Sequence, residues 1–555
     1  MQHQDTLNAY LLQSIHDNWD RMALTDFNGA SYQYKDVARK ITKLHLLFKS
    51  CGVNPGDRIA LCGRNSAQWA MAFLGIITYG AVAVPILHEF KPDNVHHLVT
   101  HSDARLLFAD SGVWENIDGD SMPKLEGVLQ INDYSLLMSR SEKLTEARAH
   151  LNQYFGDAYP ERFTVNDLEI RIPSPDDLAL INYTSGSTGF SKGVMLSYRA
   201  LWSNIQYTID KLDFLKPGDG IVCMLPLAHM YGLTVEMLHP FVKGCHVNFL
   251  TRIPSPRIII EAFAQVKPKL IVSVPLIIEK IIKTKVFPLL EKPMMKILLH
   301  VPFVDDRLLA KIKEKLTDTF GGNLREIIIG GAALNKDVEQ FLRRIEFPFT
   351  VGYGMTECGP LISYAPWDVA RHGSCGRLVD RMEAKVDSPD PANIPGVISV
   401  RGDNVMMGYF KNPEATESTL SPDGWMNTGD IGTIDADNFI YLRGRDKNMI
   451  LGPSGQNIYP EEIEQKLNNM PYVAESVVID DGGKLVALIY PDLESATQQH
   501  IDSTELNKIM VDNIAQVNKE LEAYSQITRF ELTSEEFEKT PKRSIKRYLY
   551  QRQNA

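Results

Sequence analysis

The sequence Tyr183-Thr-Ser-Gly-Ser-Thr-Gly-Phe-Ser-Lys-Gly193 is the stretch that most constrains the fold. Its glycines let backbone N–H groups approach an anion closely, its hydroxyl side chains donate further hydrogen bonds, and Lys192 adds a mobile positive charge. The flanking runs, 178–183 and 193–197, are apolar enough to be strands, so we predict that the loop joins a hairpin. Such a loop is suited to binding the phosphates of a polyphosphate.

The loop is not a Walker A motif. That motif places glycine directly before its lysine, whereas Ser191 precedes Lys192 here. The alternative interpretation is a flexible Ser/Gly turn without a ligand. A lysine held between two apolar strands favours phosphate binding over that alternative.

Length and composition indicate a globular protein with more than one domain. The chain has 555 residues, more than one compact core usually holds. Its hydrophobic content of 44% and charged content of 23% are typical of globular proteins. The formal net charge of −11 argues against nucleic acid as a partner, because nucleic-acid-binding proteins usually carry a basic excess.

Cysteine usage and hydropathy bear on the compartment. The six cysteines are scattered, without a C-x-x-C pair, so neither a zinc site nor a disulfide framework is indicated. Scattered thiols suit a reducing compartment, and the N-terminus lacks the pattern of a signal peptide, so we expect a cytoplasmic location. The uncharged run at 69–87 is long enough to span a membrane, but its pattern changes from helix to strand midway. We therefore expect no transmembrane segment.

The order of predicted elements favours an α/β fold. Helical and strand-like patterns alternate through roughly the first 440 residues, as in layered α/β structures. Within this part, short strands and turns predict a β-rich subdomain at about 365–445. A polar, Gly/Pro-rich stretch then marks a domain boundary. We predict a large multilayered N-terminal domain over 1–445 and a small mobile C-terminal domain over 446–555, with a hinge near Lys447.

The C-terminal domain is predicted to be an α+β unit. Pro460 stands at the start of a helix whose first turn is rich in glutamate, which complements the helix dipole. The strand-like runs 473–479 and 484–490 flank the turn sequence Asp480-Asp-Gly-Gly483, which is a hairpin signal. A further helix is predicted at about 503–523.

A second set of motifs narrows the function. These motifs are Val351-Gly-Tyr-Gly-Met-Thr-Glu-Cys-Gly-Pro360, Trp425-Met-Asn-Thr-Gly-Asp430, Arg443-Gly-Arg-Asp-Lys447 and Gly455-Gln-Asn-Ile-Tyr-Pro-Glu-Glu-Ile-Glu464. With the loop at 183–193, and in this order, they resemble the adenylate-forming (AMP-binding) superfamily of acyl-CoA synthetases, luciferases and peptide-synthetase adenylation domains. The nearest resemblance is to long-chain fatty acyl-CoA ligases, and it extends over residues 20–550.

The resemblance implies roles on the phosphate side of a nucleotide site. The loop residues implied to hold the β- and γ-phosphates of ATP are Thr184, Ser185, Gly186, Ser187, Thr188, Gly189 and Lys192. Thr356 is implied to hydrogen-bond the α-phosphate. Glu357, with Thr184, is implied to bind Mg²⁺, a hard cation that prefers carboxylate and phosphate oxygens. The alternative for Glu357 is a solvated surface carboxylate.

On the adenine side, the resemblance implies that Tyr353 stacks on the base. An exposed aromatic side chain in a glycine-rich loop offers such a face, and Gly354 lies next to it. Gly331 and Ala332 belong to a loop that resembles the family's adenine-side loop, where small residues let the base approach. Simple core packing is the alternative for Tyr353.

Asp430 resembles the carboxylate that accepts hydrogen bonds from both ribose hydroxyls, and Arg445 is implied to be a second ribose contact. A turn role for Asp430 and a linker charge at Arg445 are the alternatives. The segment Leu225-Pro-Leu-Ala-His-Met-Tyr-Gly232 resembles the substrate-side segment. His229 is implied to orient the carboxylate of the substrate, with a hydrogen-bonded core histidine as the alternative.

The resemblance implies two half-reactions. The carboxylate of an acid attacks the α-phosphorus of ATP, which releases pyrophosphate and leaves an acyl-adenylate. The thiol of coenzyme A then attacks the activated carbonyl. Positioning and charge neutralisation are expected to supply most of the catalysis, and the small domain is expected to rotate between the steps.

The C-terminal tail departs from the family pattern. Aligned on its last Ile-x-Arg, the tail Thr540-Pro-Lys-Arg-Ser-Ile-Lys-Arg547 has Ser544 where the family carries its adenylation lysine. Lys542 and Lys546 lie on the same side of an extended chain as Ser544, so either lysine is a candidate catalytic replacement. The alternatives are slow adenylation that relies on Lys192 and Mg²⁺, or a non-catalytic member.

The resemblance thus predicts a ligase that uses ATP, Mg²⁺, coenzyme A and a fatty acid. Two alternatives stay open: an acyl-AMP ligase that loads a carrier protein, and a nucleotide-binding protein without catalysis. The length of the acid rests on the resemblance alone. If the acid is long, we expect peripheral membrane contact, to which the cations of the tail would contribute.

Overall fold

The structure is a computed structural model that describes residues 6–184, 191–251, 255–290, 292, 294–295, 304–452, 456–540 and 545–552. Several residues of the predicted motifs lie outside these ranges, namely Ser185, Gly186, Ser187, Thr188, Gly189, Gly455, Lys542 and Ser544. The predicted α/β fold class is confirmed, with several sheets and helices between them.

A mixed sheet forms the centre of the N-terminal part. From edge to edge its strands are Gly408–Tyr409, Lys192–Ser197, Leu178–Thr184, Val82–Ile86, Arg58–Cys62, Leu106–Ala109, Gly127–Gln130 and Leu136–Ser139. The inner strands run parallel, whereas the strands at both edges are antiparallel to their neighbours. Because carboxyl ends of parallel strands share one edge, the loops after Ile86 and Thr184 leave the sheet on the same side.

The uncharged run at 69–87 folds into the interior. Helix Ala67–Tyr79 begins after Ser66, whose hydroxyl accepts the Trp69 N–H at 3.1 Å, and it ends at Gly80 with φ of 88°. Strand Val82–Ile86 follows immediately, so the predicted change from helix to strand is confirmed. Among the described residues, no helix is both long and apolar enough to cross a bilayer.

Two further sheets complete the α/β part. A parallel sheet contains Leu270–Ser273, Glu326–Ile329 and Phe349–Val351, and a mixed sheet contains Gly220–Cys223, His246–Phe249, Met22–Asp26 and Ser31–Gln33. In the parallel sheet, Gly330 follows the middle strand and Gly352 follows the last strand. Both loops therefore emerge at the same edge, and they contain the residues predicted to meet adenine.

Antiparallel strands dominate the stretch before the C-terminal part. One sheet contains Met382–Asp387, Gly396–Gly402, Met426–Ile434 and Ile440–Arg445, and a smaller one contains Tyr353–Gly354, Leu361–Tyr364 and Arg377–Leu378. The β-rich character predicted for this region is therefore observed. In the first sheet Asp430 is paired directly with Arg445.

The C-terminal part has a hydrophobic core of its own. Its sheet contains Val473–Asp480, Leu485–Pro491 and Ile527–Leu532, of which the first two form the predicted hairpin. Apolar residues of this sheet pack on helices Pro460–Leu467 and Ser503–Lys519. Ile450–Leu451 with Asn457–Ile458 forms a short ribbon at the start of this part, and the domain boundary at 445/446 stays a prediction.

The remaining described α-helices are Leu7–Asp17, Tyr34–Ser50, Pro92–His101, Ser111–Trp114, Glu142–Ala149, Leu151–Ala158, Tyr198–Lys211, His239–Val242, Pro256–Val266, Pro275–Ile281, Phe287–Leu290, Val304–Thr319, Lys336–Arg344, Pro413–Thr419 and Leu493–Gln498.

Candidate functional site

The hairpin around the predicted phosphate loop fixes both ends of that loop. Thr184 ends one strand, Lys192 begins the next, and the two residues are direct partners across the antiparallel pair. The Thr184 hydroxyl lies 3.4 Å from the carbonyl oxygen of Lys192. The predicted hairpin is thus confirmed, and the residues between its strands lie outside the described ranges.

Lys192 and Glu357 both contact Tyr409, a buried tyrosine that was not predicted from the sequence. The Lys192 ammonium is 4.8 Å from the centre of the Tyr409 ring, and the Tyr409 hydroxyl donates to Glu357 Oε1 at 2.9 Å. Burial and the neighbouring Glu357 raise the pKa of Tyr409, so the phenol keeps its proton. Tyr409 reaches this position because its strand pairs with the hairpin at Val194.

Glu357 is a buried carboxylate and not a solvated surface residue. It follows Thr356 in a short 3₁₀ turn, and the two side chains are 9% and 7% exposed. Glu357 also raises the pKa of Asp430 by repulsion between carboxylates. Carboxylates close enough to repel each other favour a nearby cation.

A magnesium ion at this position fits the donors only if phosphate oxygens complete its coordination. Among the described residues, no group of three or more His, Cys, Asp or Glu side chains is placed to hold a metal ion. Glu357 supplies one carboxylate, and Thr184 stands where the phosphate loop begins. Because Mg²⁺ is usually bound by one or two carboxylates plus substrate phosphates, these residues suit an ion that arrives with a nucleotide.

The residues predicted to hold ribose are joined in one hydrogen-bonded group. Arg445 Nε lies 2.7 Å from Asp430 Oδ1, and the Tyr353 hydroxyl donates to Asp430 Oδ2 at 2.5 Å. Burial raises the pKa of Asp430, while Arg445 and the Tyr353 hydroxyl lower it. Both carboxylate oxygens therefore have donors before any ligand binds, and the free lone pairs can accept further hydroxyl groups.

The expectation of an exposed Tyr353 ring is wrong. The side chain is 7% exposed and packs in the main hydrophobic core, because its hydroxyl is directed towards the buried Asp430 carboxylate. This burial leaves no local signal in the sequence, because the partner of Tyr353 lies 77 positions further along the chain. Stacking of Tyr353 on adenine stays a prediction.

The adenine-side loops contain glycines at positions where a side chain would be strained or would clash with neighbouring atoms. Gly331 has φ of 90°, and a Cβ at Gly330 would lie 3.1 Å from the ring of Tyr231. A Cβ at Gly354 would overlap the carbonyl oxygen of Pro360. Gly331 and Ala332 are exposed at the end of their strand, which leaves room for a flat group to approach.

His229 lies in the turn that precedes the π-helical segment Gly232–Leu238, and it is half-buried. Nearby, the sequence analysis missed Glu236, a fully buried carboxylate that accepts the backbone N–H groups of Met224 at 3.1 Å and Leu225 at 2.8 Å. Burial raises the pKa of Glu236 to about 8. Glu236 thus holds the beginning of the segment that carries His229.

The C-terminal tail is anchored to its own domain. Arg547 forms a buried two-point ion pair with Glu464, at 2.6 and 2.7 Å. Lys546, a predicted catalytic residue, is paired with Glu538, and Lys542 lies outside the described residues. The structure does not bring Lys546 into the cluster of Lys192 and Glu357.

Helix Pro460–Leu467 connects the two domains. Gln465 Nε2 donates to the carbonyl oxygen of Leu334 at 2.9 Å, next to the adenine-side loop. Lys447, the predicted hinge residue, lies in the 3₁₀ turn Asp446–Asn448 directly after Arg445. The small domain therefore contacts the site at the adenine loop and is joined to it at the ribose group.

Comparison with known proteins identifies the family to which the chain is similar. The profile described as "AMP-binding enzyme" matches residues 12–410, and that described as "AMP-binding enzyme C-terminal domain" matches residues 447–554. The chain is 28% identical to 4-coumarate:CoA ligase 1 of Petunia hybrida over 494 residues, which span 85% of this chain and 81% of the relative. It is also 28% identical to a long-chain-fatty-acid–CoA ligase of Mycobacterium bovis over 492 residues, 83% of this chain and 77% of the relative.

Solved structures share the fold. ATP-bound MatB from Rhodopseudomonas palustris superposes with a TM-score of 0.76 at 24% identity, over 99% of this chain and 98% of the other. An anthranilate CoA ligase in complex with anthranoyl-AMP superposes with a TM-score of 0.80 at 20% identity, over 99% of this chain and 97% of the other.

Proposed function

This chain belongs to the AMP-binding enzyme family, and on that premise we propose that it is an AMP-forming acid–CoA ligase. It activates a carboxylic acid with ATP as an acyl-adenylate and transfers the acyl group to coenzyme A. The observation that supports the proposal is that two groups of charged and hydrogen-bonded side chains lie near each other. Asp430 with Arg445 forms one group, Lys192 with Glu357 forms the other, and Glu357 is close enough to raise the pKa of Asp430.

The two groups match the two ends of a nucleoside triphosphate. Asp430 binds the ribose hydroxyls through its free lone pairs, while Arg445 and Tyr353 hold the carboxylate in place. Lys192 and the phosphate loop bind the β- and γ-phosphates. The small residues Gly331 and Ala332 lie against adenine. Mg²⁺, held by Glu357 with Thr184 and phosphate oxygens, neutralises charge on the phosphates when bound.

The reaction needs no protein nucleophile. An oxygen of the acid forms a bond to the α-phosphorus, and the bond from that phosphorus to pyrophosphate breaks. The thiol of coenzyme A then loses its proton to solvent as its sulfur bonds to the acyl carbon, and AMP leaves as the carbon–oxygen bond breaks. The residues of the cleft contribute by holding the reacting atoms in line and by stabilising negative charge, with His229 orienting the acid and Thr356 bonded to the α-phosphate.

For the acid we propose a fatty acid. The order of the motifs resembles long-chain fatty acyl-CoA ligases, and one relative is named as such an enzyme. A second candidate is an aromatic acid, because relatives of similar identity are named 4-coumarate–CoA ligases. A cytoplasmic location and peripheral membrane contact stay predictions.

One experiment tests activity, acceptor and acid together. The purified chain is incubated with ATP, Mg²⁺, coenzyme A and a panel of saturated fatty acids and 4-coumarate, and products are identified by mass spectrometry. Acyl-CoA from the fatty acids is the expected result. If coumaroyl-CoA is the only acyl-CoA formed, the substrate is the aromatic acid and not a fatty acid. Acyl-adenylate without acyl-CoA indicates a carrier protein as acceptor, and no pyrophosphate release with any acid contradicts the proposal.

A further inference from the structure

One side chain of the hairpin around the phosphate loop is bonded to the turn that carries His229. Asn182 lies in strand Leu178–Thr184, two residues before the phosphate loop begins at Thr184. Its Nδ2 donates to the carbonyl oxygen of Ala228, the residue before His229, at 2.9 Å. The Asn182 side chain is fully buried, so water does not compete for this bond. A hydrogen bond thus joins the start of the phosphate loop to the turn at 224–229.

Asn182 is also aligned with the phosphate side of the site across the sheet. In the antiparallel register Asn182 pairs with Val194, and Val194 in turn pairs with Tyr409. Residues paired directly across a sheet project from the same face. The Tyr409 ring lies next to Lys192, and its hydroxyl donates to Glu357. The Asn182 amide therefore lies on the face of the sheet that carries the proposed phosphate and metal contacts.

Two further side chains hold the same turn from other elements. Asn65 Nδ2 donates to the carbonyl oxygen of Leu225 at 2.7 Å, and Asn65 Oδ1 accepts the N–H of Leu227 at 2.9 Å. Glu236 accepts two backbone N–H groups at the start of the turn. Because Asn65 and Glu236 hold the start and the middle of the turn, the bond from Asn182 sets its end.

We infer that Asn182 is a positioning residue for the acid, because it holds the turn of His229 in register with the hairpin around the phosphate loop. The inference rests on the proposed function, in which His229 orients the carboxylate of the acid and the hairpin holds the phosphates of ATP. Attack of an acid oxygen on the α-phosphorus requires both substrates in one geometry, and a displacement of about 1 Å costs on the order of 100-fold in rate. Asn182 binds neither substrate and acts through the position of His229.

Two single variants, their combination and a control test the inference. Asn182→Thr removes the amide donor at similar side-chain volume, with a residue that suits a strand. His229→Ala removes the group that Asn182 is inferred to position. Asn8→Thr is the matched control, because Asn8 is also fully buried and its Nδ2 donates to the carbonyl oxygen of Ile77 at 2.9 Å.

The measurement is ATP–pyrophosphate exchange at varied acid and at varied ATP. Dodecanoate is the acid, with 4-coumarate in its place if that is the only acid the chain activates. Thermal unfolding of every variant records the stability that each substitution costs. If Asn182→Thr does not fold, Asn182→Ser, which also lacks the amide, takes its place.

We expect Asn182→Thr to lower kcat/KM for the acid about 10-fold or more, with the KM for ATP nearly unchanged. In the His229→Ala background the same substitution has almost no further effect, because residues that act as one unit give non-additive losses. Asn8→Thr retains the original kcat/KM, although it loses a hydrogen bond of the same kind.

Four outcomes overturn the inference. An unchanged kcat/KM for the acid in Asn182→Thr shows that its bond to Ala228 does not position His229. A loss by the same factor with and without the His229 side chain shows that Asn182 acts independently of it. A rise confined to the KM for ATP assigns Asn182 to the phosphate loop alone. An equal loss in Asn8→Thr assigns the effect to stability.

Failure of the proposed function gives a different result. If the original chain exchanges no pyrophosphate with any acid, the ligase activity itself is contradicted. Full activity of His229→Ala, in a chain that does exchange pyrophosphate, contradicts the role of His229 and the inference with it, and leaves the ligase activity standing.

Discussion

Two arginine–carboxylate pairs in this protein have similar geometry and opposite settings. Arg445 lies 2.7 Å from Asp430, and Arg547 lies 2.6 Å from Glu464. The Arg445 side chain is 45% exposed, whereas both members of the second pair are enclosed, with exposures of 18% for Arg547 and 10% for Glu464. A pair open on one side can share its charges with a ligand. An enclosed pair can only hold segments of the chain together.

The carboxylates of the two pairs show the same contrast. Burial raises the pKa of both, and the arginine partner lowers it in each case. Asp430 also receives the Tyr353 hydroxyl, while Glu464 receives the backbone N–H of Val478 at 2.6 Å. Asp430 is therefore oriented by the side chains of Arg445 and Tyr353, and Glu464 joins its helix to the adjoining strand and to the tail.

Breaking the enclosed pair is expected to have the largest effect. Arg547→Ala leaves the Glu464 carboxylate buried without its cation, which costs about 3–5 kcal/mol in the free energy of unfolding. Urea unfolding measures the loss. Arg552→Ala, which removes an exposed pair with Asp481 and Glu531, serves as the control and is expected to leave the free energy of unfolding nearly unchanged.

A double variant sharpens the result. Glu464→Gln with Arg547→Met removes both charges, and it is expected to recover much of the stability lost in Arg547→Ala, because the penalty arises from an unpaired buried charge. Equal losses for Arg547→Ala and Arg552→Ala contradict the view that the enclosed pair anchors the tail.

Breaking the open pair is expected to affect activity and to leave stability nearly unchanged. Asp430→Asn keeps the shape of the side chain but loses the charge and one acceptor oxygen, so the proposed ribose contacts weaken. We expect kcat/KM for ATP to fall about 100-fold, the loss of one or two charged hydrogen bonds. Pyrophosphate exchange at varied ATP concentration measures this change. Asp437→Asn, an exposed carboxylate paired with Arg371, is the control, and equal effects of the two substitutions contradict the proposed ribose site.

Some residues of the candidate site could be predicted from the sequence and others could not. The hairpin around the phosphate loop was predictable because apolar runs flank a polar, glycine-rich stretch, and Asp430 and Arg445 lie in motifs that resemble a known family. Tyr409 was missed because Gly408–Tyr409 is too short a strand to show alternation. Its partner, Glu357, lies 52 positions away. Glu236 was missed because a single acid in an apolar run gives no periodic signal.

The pH dependence of stability extends the comparison to a buried acid without a cation. Burial raises the pKa of Glu236 to about 8, above its ordinary value of 4.5, so the folded protein binds a proton that the unfolded chain has released. Stability is therefore complete below the ordinary pKa and falls as pH rises towards 8. We expect Glu236→Gln to flatten this fall, which amounts to about 2 kcal/mol between about pH 5.5 and about pH 7. Parallel stability curves for the two proteins, measured by urea unfolding, contradict it.

The smallest expected effect concerns Tyr409, which joins the phosphate side of the cleft to Glu357. Tyr409→Phe keeps the ring beneath Lys192 and removes only the hydrogen bond to the carboxylate. Glu357 then loses one orienting contact, worth about 1–2 kcal/mol for a bond to a charged group. We expect a several-fold rise in the Mg²⁺ concentration needed for half-maximal pyrophosphate exchange, whereas Tyr441→Phe, which loses a hydroxyl contact to Asp435 at 3.2 Å, leaves that concentration unchanged. If pyrophosphate exchange falls and excess Mg²⁺ does not restore it, the hydroxyl does not act through the metal. That result would indicate that Tyr409 acts by positioning Lys192.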